Sequence, residues 1–108
     1  MIDHTVLHDV EAELEIPEEG VLSRVLYRDD RVRVVGFAFD VDQELTEHTA
    51  AVPAILQVVS GSFRVSLGDT VEDLRRGSWV HMAANLPHSV LALEPGTLLL
   101  TLMRDQSE

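Results

Sequence analysis

An all-β domain, a sandwich or barrel of antiparallel strands, is the fold class this sequence predicts. Three observations carry the prediction. Short apolar, β-branched stretches recur from residue 20 to residue 103. Turn residues separate them at short intervals. Beyond the first sixteen residues, no segment holds a helical apolar period over a dozen positions. At 108 residues the chain forms one domain with a single modest core.

In "TVLHDVEAELEI", Val6, Val10 and Leu14 fall at i, i+4, i+8, so a short helix competes with a strand, and the β context favours the strand. Pro17 ends this segment. "GVLSRVLYR" then meets "RVRVVGFAF" across Asp29-Asp30 as a hairpin. "AILQVVSG" meets "SFRVSLGD" across Ser60-Gly61, and Gly68-Asp69 turns the chain into "TVEDL". "RRGSWVHM" and "AANLPHSVLALEPG" follow, and "TLLLTLM" closes the sheet after Pro95-Gly96. Phe37 and Phe39 share one face of their strand and are assigned to the core.

Composition removes several classes of function. Nineteen acidic residues face eight basic ones, all arginine, for a net charge of −11. That field repels phosphate backbones, so no nucleic-acid partner is expected. No apolar run approaches the roughly 20 residues that cross a bilayer, so no membrane role is expected either. The acidic start lacks the basic region of a secretory signal, which makes a cytoplasmic location the expectation. Without cysteine there are no disulfides and no thiolate ligands.

Histidine carries the remaining chemistry. His4 and His8 lie in an acidic terminal segment and read as surface residues. His48, His81 and His88 fall at strand edges, and a barrel directs inward residues of neighbouring strands towards a shared axis. Imidazole is the commonest metal ligand, and a usable site needs two or three of them converging.

Two stretches around His48 and His88 bear a family resemblance. "GSWVHMAANLPHSVLA" is similar to the second motif of the cupin superfamily, with Gly77, Ala83, Asn85, His88 and Ala92 at its intervals. "EHTAAVPAILQVVSG" resembles the first motif, in a frame that runs Asp42, His48, Ala50, Ala54 and Gly61. The frames span 42–61 and 77–92, and the resemblance extends over about 36–103, that of a small single-domain cupin. It implies a jelly-roll barrel, or double-stranded β-helix. It also implies a divalent transition metal (iron, manganese, nickel or zinc) held by His48 and His88, the two family ligand positions that survive. Ala50 and Ala54 stand where the family has a second histidine and a glutamate.

His81, Gln57 and Glu47 are the candidates to complete the ligand set. Strand alternation puts His81 opposite Val80 and Met82, and Gln57 opposite Ala54. If Val80 and Met82 fill the barrel, His81 points outward. Small side chains at Ala50 and Ala54, with Met82 nearby, are expected to widen a pocket for a small-molecule ligand. Three readings of the histidine pair stay open: metal ligands, hydrogen-bonding groups of a metal-free pocket, or structural residues bonded to carbonyls. The first implies oxygenase or isomerase-type chemistry, and the second a non-enzymatic binding or sensing protein. In either functional case the two rings should approach within about 5 Å, each with its second nitrogen bonded to a carbonyl or carboxylate.

Other residues take plainer roles. Trp79 reads as a core or interface anchor, Tyr27 as a surface or interface residue, and Met82 and Met103 as gap fillers. Arg75-Arg76 is a solvated turn. Ser60, Ser62 and Ser89 lack a histidine–carboxylate partner at readable spacing, which removes a serine hydrolase. A homodimer is expected, because "VLSRVLYR" and "TLLLTLM" carry more apolar surface than one barrel can cover.

Overall fold

A computed structural model describes residues 3–104. Among these residues, nine strands form two antiparallel sheets. In chain order they are β1 (Val21–Arg28), β2 (Val32–Phe39), β3 (Glu44–His48), β4 (Ala54–Ser60) and β5 (Ser62–Leu67), then β6 (Thr70–Arg75), β7 (Trp79–Met82), β8 (His88–Ala92) and β9 (Gly96–Met103). The larger sheet has the order β1-β2-β9-β4-β7 and the smaller β3-β8-β5-β6. The Asp29-Asp30 hairpin is present as β1-β2 and the Gly68-Asp69 turn as β5-β6. The strands expected to meet across Ser60-Gly61 do not pair: Gly61, at a φ of +80°, turns the chain from β4 in the larger sheet to β5 in the smaller one. No helix among the described residues is long and apolar enough to cross a membrane.

Alternation along the strands builds the core between the sheets. Ala54, Leu56 and Val58 of β4 face inward, as do Phe63 and Val65 of β5 and Val90 and Ala92 of β8, and all are buried. Phe39 of β2 meets Phe63 of β5 edge to face, with ring centroids 5.2 Å apart, and this contact joins the two sheets. One buried polar residue, Thr97, is satisfied by the Ser60 hydroxyl at 2.8 Å.

The amino-terminal segment departs from the sequence expectation. It is neither strand nor amphipathic helix; its one regular piece is a 3₁₀ turn at Glu11–Glu13. Of the periodic trio, Leu14 is buried at 3 % exposure whereas Val6 is 58 % exposed. The reason is tertiary. A side chain at Gly36 would have its first carbon 2.6 Å from a Leu14 methyl, so Leu14 sits directly on the bare backbone of β2. The segment thus lies over the outer face of the larger sheet without pairing to it.

The ends of the two motif frames are tied together. The Asp42 amide donates to the Ala92 carbonyl at 2.9 Å, and the Ala92 amide donates to the Gln43 carbonyl at 2.9 Å. Through this tie, β3 and β8 bring segments forty residues apart in the chain side by side.

Candidate functional site

His48 ends β3, His88 begins β8, and the two are direct cross-strand partners. A bulge makes this pairing useful. Leu45 pairs with Val90 and His48 with His88, so two residues of β3, Thr46 and Glu47, are set against the single Ser89 of β8. In a regular strand, residues three apart face opposite ways; the extra residue returns His48 to the side of Leu45. Leu45, His48, His88 and Val90 consequently line one small cavity, together with Phe37, Leu56, Leu98 and Leu100.

The rings lie with centroids 4.2 Å apart and planes tilted by 59°. His48 is exposed at the rim, while His88 is 4 % exposed. His48 Nδ1 lies 2.8 Å from the Thr46 carbonyl oxygen and His88 Nδ1 lies 2.9 Å from that of Leu86. A carbonyl only accepts, so each Nδ1 carries the proton and donates. In the neutral ring this leaves a lone pair on Nε2 of both residues. Two acceptor nitrogens therefore sit beside a lining that is otherwise hydrocarbon. The cavity measures about 20 Å³, room for roughly one water molecule.

The other expected site residues lie elsewhere. Met82 is inward and buried and Val80 packs against the core, so His81 between them is exposed on the outer face of the larger sheet. Gln57 is exposed on that same face, opposite Trp79. Glu47 is exposed, in the bulge. Ala54 and Met82 are cross-strand partners packed in the core, both 2 % exposed. The volume released by an alanine at position 54 is thus taken up by core packing around the methionine, not by a wider pocket. Ala50 lies in the loop after His48, where its carbonyl accepts from the Asn85 amide at 2.7 Å. None of Ala50, Ala54 and Met82 lines the histidine cavity. Phe37, assigned to the core from sequence, is half-buried and forms one of its walls. Strand alternation between Phe37 and Phe39 was the signal for it; what the spacing lacked was the position of β3 opposite.

The donor set decides how well a resident metal fits. Among the described residues no three histidine, aspartate or glutamate side chains come together as a metal site. First-row ions in structural or catalytic sites take three or four protein ligands. Two imidazoles in a hydrocarbon wall do not meet that requirement, so no chemical step is assigned to an ion here.

No protein-family model matches the chain, and no curated protein matches it by sequence. Solved structures do match. One is a cupin superfamily protein from Desulfitobacterium hafniense, with TM-score 0.83, 21 % identity, and coverage of 89 % of this chain and 88 % of that one. The fold is that of a cupin. An RmlC-like cupin from Shewanella frigidimarina gives TM-score 0.78 at 20 % identity, covering 94 % and 95 % of the two chains. A conserved Streptococcus pyogenes protein of unknown function gives 0.85 at 24 % identity, covering 98 % and 93 %. The cupin barrel expected from the two motif frames is therefore present, with nearly full-length counterparts.

Proposed function

We propose that this cupin binds a small molecule, with the His48–His88 pair as the polar anchor of the site and without a resident metal. The observation that carries the reading is the matched pair of Nδ1–H donations to the Thr46 and Leu86 carbonyls. Each bond fixes a ring and its tautomer, and both leave Nε2 to accept a hydrogen bond. A hydroxyl or amine donor on a ligand satisfies that demand; the cavity of about 20 Å³ admits the donor group alone, so the body of the ligand lies outside it, past the exposed His48. Structural histidines would need nothing more than their carbonyls, and one of the pair would not need to sit at an exposed rim.

Nitrogen-15 spectra of the histidine rings, on metal-stripped protein, test this. Both rings should show protonated Nδ1 and bare Nε2. Phenol, as a simple hydroxyl donor, should shift both sets of ring resonances. His48→Ala and His88→Gln should each remove the response, and His48→Ala should change stability by no more than about 0.5 kcal/mol, as for an exposed residue. Nε2–H tautomers, or rings indifferent to phenol, would reject the reading.

A second reading has one observation in its favour. Rings locked by second-nitrogen bonds are how metal-ligating imidazoles are commonly oriented. The pair would then hold a divalent ion weakly, with waters completing its shell. Calorimetry with zinc separates the two: one equivalent bound, and lost in His48→Ala, supports the ion.

A further inference from the structure

Half of the arginines in this acidic chain gather at one end of the larger sheet. Arg28, Arg33 and Arg104 line a cleft of about 280 Å³ with Val52 and Leu102. Arg31 and Arg104 border a second, of about 510 Å³, which shares Val52. The strand register explains the gathering: Arg28 pairs with Arg33 across β1 and β2, Arg33 pairs with Leu102 across β2 and β9, and Arg104 follows β9. With a net charge of −11, four cations in one place are not a consequence of average composition.

Among the described residues, these four arginines form none of the salt bridges. Elsewhere, Arg64 pairs with Asp73 at 2.8 Å and Arg24 with Glu13 at 3.7 Å. The nearby Asp29 carboxylate is engaged by the Tyr27 hydroxyl and the Val32 and Arg31 amides, which hold it below the usual carboxylate range. Arg104 donates to the Asp29 backbone carbonyl at 2.9 Å, and its charge adds a smaller share to the lowering of that carboxyl.

The cleft lies beyond the histidine cavity along the same strands, sharing no lining residue with it and separated from it on β2 by the buried Val35. On β9, Leu98 and Leu100 line the cavity and Leu102, the next residue on that face, lines the cleft. On β2, Phe37 lines the cavity and Arg33, on the same face, lines the cleft. Val52 comes from the loop that follows His48. Successive same-face residues are about 7 Å apart along a strand. The cavity admits little more than one water, whereas the cleft approaches the lower end of the volume of small-molecule sites, about 300 Å³.

The geometry points to an oxyanion-binding site in the arginine cleft. It selects small molecules that carry a carboxylate or phosphate at one end and a hydroxyl at the other. Arg28, Arg33 and Arg104 hold the oxyanion, since guanidinium forks match its geometry. The hydroxyl donates to an Nε2 of the histidine pair. This second part rests on the proposed reading of that pair; the oxyanion site does not.

Four probes at constant ionic strength, held with chloride, separate the parts: 4-hydroxybenzoate, benzoate, phenol and inorganic phosphate. Binding is read from arginine Nε–H and histidine ring resonances. Arg28→Gln and Arg33→Gln should each weaken 4-hydroxybenzoate about tenfold or more, the usual effect of losing a hydrogen bond to a charged group. Arg76→Gln, in an exposed turn, should leave it unchanged. Phosphate should compete, and benzoate should keep the arginine dependence but not shift the histidine rings. Absence of any arginine-dependent response to both phosphate and 4-hydroxybenzoate overturns the inference. If phenol still moves the rings in that case, the histidine reading survives alone. If the arginine dependence holds but His48→Ala changes nothing, the oxyanion site stands and the histidine reading falls.

Discussion

Asp42 and Asn85 both adopt φ of +68°, in the left-handed region where side chains other than glycine are strained. Asp42 opens the first motif frame and Asn85 is the third member of the second, and the cupin motifs that the two frames resemble have glycine at both places. The backbone of the pattern has thus been kept while its residue changed, and aspartate and asparagine are the types that tolerate this conformation best. Asp42→Gly should therefore stabilise the protein, by up to about 1 kcal/mol, once the greater flexibility of glycine in the unfolded chain is offset. Asp42→Val should cost about 1–2 kcal/mol instead, because a β-branched residue cannot relax there. Chemical denaturation of the two variants checks both signs, and destabilisation by glycine would show that the aspartate side chain itself is needed. The intervals of the frames were legible in the sequence, as was the candidacy of His48 and His88. Their direct pairing was not, because it depends on the bulge at Thr46 and Glu47, which no spacing rule marks.

Among the elements, the amino-terminal segment was read least well, and the cause is a contact between distant residues. Leu14 carries a periodic signal because it is buried, but its partner is the missing side chain of Gly36 rather than a neighbouring helix face. Leu14→Ala should cost about 2–4 kcal/mol, as for other buried leucines that leave a cavity. Gly36→Ala should also destabilise, since the added carbon would fall 2.6 and 2.8 Å from the two Leu14 methyls. The double variant should then lose less than the sum of the single losses, because the new methyl enters space that Leu14 vacated. A thermodynamic cycle from denaturation curves measures this, and strict additivity would mean that the two residues do not share the contact. The strands with alternating patterns were far easier to read. Val80 and Met82 facing inward settle the outward direction of His81 by alternation alone.

Across the whole molecule, the features hardest to read were those assembled from several strands. Arg28, Arg31, Arg33 and Arg104 are separated by up to seventy-six positions, and only the β1-β2-β9 order makes them neighbours. The same order changes the argument for a dimer. "TLLLTLM" was expected to carry apolar surface beyond what one barrel covers, yet β9 is central, between β2 and β4. Leu14 covers part of the outer face of β2. The outer surface left uncovered is on the β7 side, where Trp79, Gln57 and Leu99 form one row across three strands and His81, Ile55 and Thr101 the next. Trp79 is 58 % exposed there, an unusual position for the single tryptophan of a chain. We expect a second copy to pack against this face with the two tryptophans inside the interface. Sedimentation at micromolar concentration should then give twice the 12.0 kDa chain mass. Because no other tryptophan contributes, fluorescence should move to shorter wavelength as concentration rises through the dissociation constant. Trp79→Glu should yield the monomer with its strand spectrum intact. A 12.0 kDa species at all concentrations, with emission that never shifts, would leave Trp79 facing solvent and remove the dimer.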